Sequence, residues 1–286
     1  MIKKLLSIIG ETVREARARK TLIGFFIFST IMIVVALLIF QKDSIQQNAH
    51  KLASDAISNK GKNGKVTMDL MAATVIEYVW SIISEMIFFM TICIGIFSTA
   101  GLITSIMEKG TIDLLLSKPV PRWLYVVGRY LGALTIIVFE VTYFVLGLWI
   151  VTGISFGTWS PAFLLTIIYI SIGFAGIFAV TVLIGTMSRS SWLAIILGIT
   201  IYFVTGIILP FGKWLDKLIN GSDSTGVFTV IADIVHWTIP QMNDIASNMG
   251  EVILGKPMLF TPLLVTLGLS AAYLALSSWS FSRKEF

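Results

Sequence analysis

Five long segments of the chain contain no Asp, Glu, Lys or Arg, and they restrict the fold more than any other feature. A helix needs about 20 apolar residues to cross a bilayer core about 30 Å thick. Lipid leaves unpaired backbone groups unsatisfied, and these runs lack the alternation of barrel strands, so helices are expected. The sequence therefore predicts an all-α membrane protein. The uncharged segments are Thr21–Gln41, Met86–Met107, Val141–Ser188, Ser190–Gly212 and Pro257–Ser282.

The third uncharged segment is long enough for two crossings, with a break at Thr158–Pro161. The first segment is retained as a span, because it is about 20 residues long, follows a polar stretch and lacks a small-residue cleavage site. Residues 21–286 are therefore predicted to form a domain of six spans. The predicted spans are about 21–41, 80–107, 124–153, 161–187, 191–210 and 260–281.

Residues 1–20 are predicted to form an amphipathic helix at the cytoplasmic interface. Apolar residues recur at steps of three and four, which is typical of one helical face. They are Ile2, Leu5, Leu6, Ile9, Val13 and Ala16. The alternative is a basic leader with no interfacial role.

The distribution of Lys and Arg predicts that both termini are cytoplasmic. With this orientation, 13 of the 21 basic residues, including every arginine, lie in inside segments, as the positive-inside rule expects. The outer segments are then 42–76, a polar loop, and 211–259. The second contains apolar turns at helical spacing, which predict either a re-entrant helix or an interfacial helix that only packs against the spans.

Composition excludes several classes of function. The net charge of +5 reflects the inside bias and the anionic inner leaflet, so no nucleic-acid partner is expected. Cys93 is the only cysteine, and no His/Cys cluster has metal spacing. The stretch Gly250–Lys256 imitates a phosphate loop, but Pro257 stands where Ser or Thr would hold magnesium. The chain is therefore not predicted to be an enzyme or to bind a cofactor itself.

Two carboxylates, Glu85 and Glu140, fall within predicted spans. A central acidic residue costs about 2.5–3.5 kcal/mol on the insertion scale, so each should face protein or water. The functional interpretation is a polar point on a translocation path. The structural alternative is a protonated carboxyl that hydrogen-bonds to hydroxyl or indole groups of neighbouring helices.

Two weaker patterns lie close to these carboxylates in sequence. Met86, Met90 and Cys93 share one helical face and are soft ligands that would suit Cu(I), although methionine is also a common filler of apolar gaps. Gly128 and Gly132 form a small-xxx-small step, which permits a close approach of helices.

Residues 108–122 form a short, charged connection that contains two prolines. Thr111–Ser117 is long enough for two helical turns, and Pro119 disfavours a helical Lys118. Pro121 can open the following span at its first turn. Apolar side chains at 112 and 114–116, framed by charge, suggest a surface for docking another protein. The alternative is an ordinary interfacial elbow.

The run EKGTIDLLLSKPVPR over residues 108–122, followed by GRYLG at 128–132, resembles the first cytoplasmic loop of type-2 ATP-binding-cassette permeases. The six-span layout and leading amphipathic helix are similar to that family from end to end. The stretch Ile239–Ile245 is also similar to a Pro-containing stretch of these permeases. Within the family, the copper-processing, sodium-export and gliding-associated permeases are the most similar group.

The resemblance implies a permease subunit of an exporter in the bacterial cytoplasmic (inner) membrane. Two such subunits, either copies or paralogues, would pair in the lipid and dock on separate ATPases, which carry ATP and Mg²⁺. Docking would occur through a coupling helix, with the leucines in a groove of the ATPase and polar side chains setting the register. The residues so implied are Glu108, Lys109, Gly110, Thr111, Ile112, Asp113, Leu114, Leu115, Leu116 and Ser117.

Two other functions fit the residues alone. One is a membrane scaffold of an ATPase-driven complex that moves no solute. The other is a stand-alone secondary transporter that uses Glu85 and Glu140. The sequence assigns no substrate, because the spans contain no basic pocket for phosphates, no ligand cluster for metals and no aromatic ladder for sugars.

Overall fold

The computed structural model describes residues 2–18, 20–40, 64–104, 121–156, 159–220 and 226–283, and these segments are almost entirely helical. They include a short 3₁₀ turn, Pro161–Leu165, and a π-helical segment, Val204–Ile208. The helices are α1 (Ile2–Ala18), α2 (Lys20–Phe40), α3 (Gly64–Thr104), α4 (Arg122–Phe156), α5 (Thr166–Ser188), α6 (Ser191–Phe203), α7 (Leu209–Asn220), α8 (Val227–Thr238), α9 (Met242–Ile253) and α10 (Thr261–Ser282).

Among the described residues, five helical stretches are long and apolar enough to cross a membrane. α1 and α2 form a bent pair, with an angle of 68° between Ile2–Ala18 and Ile23–Leu38, that would supply a sixth crossing. The prediction of an all-α membrane protein is confirmed. The five stretches are Trp80–Thr99, Arg122–Ser155, Pro161–Ser188, Ser191–Asp216 and Thr261–Ser282.

α5 is the central helix of the bundle and packs against α10, α3, α6 and α4. Close contacts form where a glycine of one helix meets a larger side chain of another. A Cβ added to Gly173 would lie 2.7 Å from the Phe88 ring of α3, and one added to Gly176 would lie 2.5 Å from Thr266 of α10. Lipid provides no hydrophobic force between helices, so such close packing contributes much of their association.

Hydroxyl groups add specific links to this packing. The Tyr130 hydroxyl of α4 donates to the Ala175 carbonyl of α5 at 2.8 Å. The hydroxyls of Thr186 in α5 and Ser277 in α10 lie 3.1 Å apart. These bonds satisfy buried polar groups where no water is available, and they fix the register of α5 against both neighbours.

The outer segments contain more helix than the sequence indicates. α3 begins at Gly64, so part of the segment predicted as a polar loop, 42–76, is an extension of the second span. No Pro or Gly interrupts residues 65–79, so nothing in this stretch stops the helix. In the second outer segment, 211–259, the chain forms most of α7 together with α8 and α9.

The α8–α9 hairpin matches the re-entrant alternative. Pro240, in the turn between these helices, packs against Gly176 at the middle of α5, where an added Cβ would lie 2.8 Å away. The start of α9 therefore lies deep in the bundle. Its end is beside the outer part of α3, because a Cβ added to Gly250 would lie 2.5 Å from the Ser81 hydroxyl.

Candidate functional site: the start of α4 and the polar groups of the bundle

The predicted coupling segment, residues 108–117, lies outside the described residues and remains a prediction. The structure resumes at Pro121, whose carbonyl accepts a hydrogen bond from the Leu124 N–H at 3.0 Å. α4 therefore begins immediately after Pro121, as the proline signal suggests. Whatever the preceding segment contacts, the first turn of α4 is the part of the bundle to which it is directly joined.

That part of α4 is packed closely against α1 through the two glycines of the small-xxx-small step. A Cβ added to Gly128 would lie 2.7 Å from Ile8, and one added to Gly132 would lie 2.6 Å from Thr12. Residues four apart on α1 meet residues four apart on α4, so the helices run parallel and in register. The predicted close approach of helices at this step is confirmed.

The buried face of α1 overlaps the predicted apolar face in part, since Leu5, Val13 and Ala16 pack in or against the core. Ile8, Thr12 and Ala16 are buried, whereas Ile2 and Leu6 are exposed. Thr12 can be buried because its hydroxyl donates to the Ile8 carbonyl at 2.8 Å and its small side chain fits against Gly132. α1 therefore has an apolar docking face and, next to it, a second apolar stripe that is left exposed.

An ion pair lies beside this contact. Arg129 of α4 is only 6% exposed and forms a salt bridge with Glu15 of α1. One turn earlier, the Tyr125 hydroxyl lies 3.4 Å from a carboxylate oxygen of Glu11. Sequence reasoning placed Arg129 in the inside charge bias and in the GRYLG run, but predicted no ion pair for it. The pattern that would have indicated this pairing is two i,i+4 pairs, Glu11/Glu15 and Tyr125/Arg129.

Glu140 is buried between α4 and the first two helices. It is 6% exposed, and among the described residues its Oε2 atom has no hydrogen-bond partner. It lines a cavity of about 530 Å³ together with Arg17, Thr135 and apolar side chains. The structural alternative, in which neighbouring helices hydrogen-bond to this carboxyl, therefore does not hold for Oε2.

Glu85 has a different environment, on the outer surface of α3. Its side chain is exposed, and its Oε1 atom would lie 2.8 Å from a Cβ added to Gly250 of α9. The two intramembrane carboxylates therefore do not share a site. An exposed carboxylate within a span requires water or a partner chain rather than lipid.

The Met86, Met90 and Cys93 stripe lies on one face of α3, and its role as a soft metal site stays a prediction. Met86 and Met90 are exposed and Cys93 is partly buried. Within the part of the chain that the structure describes, no three His, Cys, Asp or Glu residues are grouped to hold a metal ion. The stripe remains a surface of α3 beside Glu85.

A polar pocket at the tip of the α8–α9 hairpin was missed by sequence reasoning. Its cavity of about 280 Å³ lies between this hairpin, α7 and Thr205 of the π-helical segment. The Nδ1 atom of His236 lies 3.3 Å from Oδ2 of Asp244, and its Nε2 atom lies 2.9 Å from Nε2 of the buried Gln241. Only the proline at 240 pointed to this turn in the sequence.

The π-helical segment has a visible cause. Pro210 lies two residues after its end and has no N–H to bond the carbonyl four residues earlier, where its ring would also clash. The backbone widens so that the Leu209 N–H bonds the Val204 carbonyl, five residues back. Such π-turns are frequent at functional sites, and this one supplies a wall of the polar pocket.

The comparison with protein families agrees with this architecture. A family model described as ABC-2 family transporter protein matches residues 6–286. The chain belongs to this family. It is a multi-pass membrane permease subunit of an ATP-binding-cassette transporter. The family in general implies a partner that carries the ATP-binding cassette. No curated protein matches this chain.

Proposed function

We propose that this ABC-2 permease is the membrane half of an exporter that pairs with a second permease copy or paralogue and couples through residues 108–117 to a separate ATPase. The observation that carries the proposal is how firmly α4, which follows this segment in the sequence, is held. Only Lys118–Val120 separate the segment from Pro121, and a parallel helix contact and an ion pair hold the first turns of α4 against α1. A force applied there would move α1 and α4 as one body.

Residue roles in this proposal follow the chemistry of the segment. Leu114–Leu116 would fill an apolar groove of the ATPase, while Glu108, Lys109 and Asp113 would set the register by polar contacts. ATP and Mg²⁺ would be bound by the partner. The copper, sodium and gliding subgroup rests on the sequence resemblance alone, and the weak Met/Cys stripe is the only feature that points to a metal substrate.

Glu85 is the candidate path residue that the geometry supports best. Its carboxylate is exposed on α3 beside the end of the re-entrant hairpin. Pairing of two permeases along this surface would place the carboxylate at a water-filled path between them, where its charge costs little. Glu140, enclosed by α1, α2 and α4, suits a role at the edge of the bundle.

The re-entrant tip is a second element of the proposed path. Non-helical backbone at membrane depth is tolerated where it is buried in protein or lines a cavity, and here it does both. We propose that α8 and α9 close the outer side of the path and move when it opens. A cysteine pair that locks Pro240 to Gly176 should stop transport while ATPase binding persists.

Co-purification tests the coupling assignment. The permease with Glu108→Lys and Asp113→Lys, and with Leu114–Leu116 replaced by Ser, is expected to lose its ATPase from the complex, because both the apolar anchor and the register contacts are removed. A matched control reverses Glu251, an exposed residue of α9. Unchanged ATPase binding by the loop variant would contradict the assignment.

The same preparation separates the alternative functions. If the protein is a transporter subunit, its substrate should stimulate ATP hydrolysis by the partner ATPase. If it is a scaffold, no solute should enter proteoliposomes. A secondary transporter would move solute in response to a proton gradient without the ATPase, and Glu85→Gln would abolish that response.

A further inference from the structure

The cavity beside Glu140 is lined by a few polar side chains on one side and by apolar side chains elsewhere. α1 contributes Val13 and Arg17, α2 contributes Ile23 and Phe26, and α4 contributes Thr135, Ile136, Phe139 and Glu140. Its volume of about 530 Å³ is far above the roughly 30 Å³ share of one water molecule. It falls within the range of about 300–1,000 Å³ that is typical of ligand pockets.

Two opposite charges line this cavity without contacting each other. Within the described residues, no ion pair joins Glu140 to Arg17, and Oε2 of Glu140 has no partner. A buried, unpaired carboxylate is costly, so a ligand that brings an ammonium group to Glu140 would remove an unfavourable interaction. The Thr135 hydroxyl does not fill this role, because it donates to the Leu131 carbonyl.

The register of α1 on α4 gives the offset of the two charged residues along the helices. Thr12 lies opposite Gly132, so Arg17 is level with residue 137 of α4, about one turn before Glu140. One helical turn rises about 5.4 Å. The ethanolamine linker of an aminophospholipid holds its phosphate and its ammonium a comparably short distance apart. A head group of this kind can therefore meet both residues at once, with the phosphate toward Arg17 and the ammonium toward Glu140.

The remaining walls are apolar and can be reached from the surface of the bundle. Ile23 is 52% exposed and Phe139 is 67% exposed, and both belong to helices that cross the membrane. An acyl chain could lie along these side chains while the head group is enclosed. A water-soluble solute would have no apolar surface to match most of these side chains.

We infer that the cavity between α1, α2 and α4 is a binding site for a zwitterionic aminophospholipid, with Glu140 as the acceptor for the ammonium and Arg17 as the partner of the phosphate. The inference goes beyond the proposed exporter function and does not depend on an ATPase. Because the same cavity touches α1 and both adjoining spans, the bound lipid would link the docked N-terminal helix to the bundle.

Native mass spectrometry of the purified full-length chain tests the site. The probes are phosphatidylethanolamine, phosphatidylcholine and phosphatidylglycerol with identical acyl chains, supplied together at equal concentration. The wild type is expected to retain phosphatidylethanolamine about tenfold better than phosphatidylcholine, because a quaternary ammonium has no N–H to donate to a charged acceptor. This comparison needs no variant and therefore does not depend on how a mutant folds.

Variants then assign the two charges. Glu140→Gln should abolish the preference for phosphatidylethanolamine, and Arg17→Gln should lower retention of phosphatidylethanolamine and phosphatidylcholine alike. Arg14→Gln is the matched control, since Arg14 is an exposed arginine of α1 that does not line the cavity. Glycerophosphoethanolamine, which has the head group without acyl chains, should compete poorly.

Three outcomes would overturn the inference. Equal retention of the three lipids by the wild type would show that the polar side chains of the cavity do not distinguish between head groups. A preference that survives Glu140→Gln would place the lipid elsewhere. A wild type that is dimeric and retains no lipid would assign the cavity to a second copy of the chain.

Discussion

Replacement of Gly132 by alanine tests the contact between α1 and α4 most directly. The added Cβ would lie 2.6 Å from the Thr12 Cβ, a distance at which the helices must separate or tilt. Overpacking of this kind typically costs about 1–3 kcal/mol. The change also removes a glycine from a helix, which by itself stabilises by about 1 kcal/mol. We therefore expect a net loss of up to about 2 kcal/mol.

A matched control on α1, away from the contact face, removes the effect of helix propensity. Gly10→Ala makes the same chemical change on α1, but a Cβ at that position has no atom within 4 Å. It should stabilise the protein by about 0.5–1 kcal/mol. The two alanine variants are therefore expected to differ in sign, which no argument from helix propensity predicts.

A compensating change makes the test specific to the helix pair. Thr12→Gly removes the atom that collides with the new Cβ, so the double variant should recover most of the stability lost through overpacking. The free energy of unfolding in mixed micelles gives the coupling energy as a double-mutant cycle. Additive effects of Gly132→Ala and Thr12→Gly, or equal effects of the alanine changes at 132 and 10, would refute the close contact.

Two further substitutions test buried polar contacts by the same unfolding measurement. Arg129→Leu should cost about 1.5–3 kcal/mol because it removes a charge-assisted hydrogen bond to Glu15; a double-mutant cycle with Glu15→Gln should show coupling between the two residues, and additive effects would argue against the pair. Tyr169→Phe removes the hydrogen bond that its hydroxyl donates to Asn248 and should cost about 1 kcal/mol. The loss should be small because the Leu259 N–H still donates to the same oxygen of Asn248. A neutral Tyr169→Phe would mean that the hydroxyl has another partner.

The spans could be predicted closely because a span needs only enough uncharged, apolar residues to cross the lipid. A run without charge that is long enough to cross lipid must be helical, so the third uncharged segment divides at the predicted break and α5 begins within a few residues of it. The same reasoning placed the last span within one residue of α10. These predictions needed no knowledge of which helices touch.

The faces of the helices could not be predicted in this way. The periodic residues of α1 indicate a stripe through Ile2 and Leu6, but the partner on α4 is a pair of glycines, which selects a smaller stripe centred on Thr12. Periodicity reports the apolar side of a helix, whereas packing depends on the shape of the neighbour.

For the candidate site, too, the sequence predicts which residues are unusual but not where the fold places them. The sequence identified Glu85 and Glu140 as unusual because charge in a span is costly whatever surrounds it. It could not place one on the surface of α3 and the other in a cavity, since both positions lie in similar apolar runs. The hairpin tip was missed because His236, Gln241 and Asp244 are brought together by a turn whose depth in the bundle the chain order does not reveal.

The glycine contact between α1 and α4 also limits how these helices can move. Ile8 and Thr12 fit into two gaps one turn apart, and the positions between the gaps carry larger side chains such as Arg129 and Leu131. A slide of less than one turn would drive a side chain into a neighbour, so intermediate positions are excluded. A slide of a full turn would bring Ile8 or Thr12 against Leu124 or Ile136, which leave no such gap. α1 is therefore expected either to stay in this one register on α4 or to separate from it.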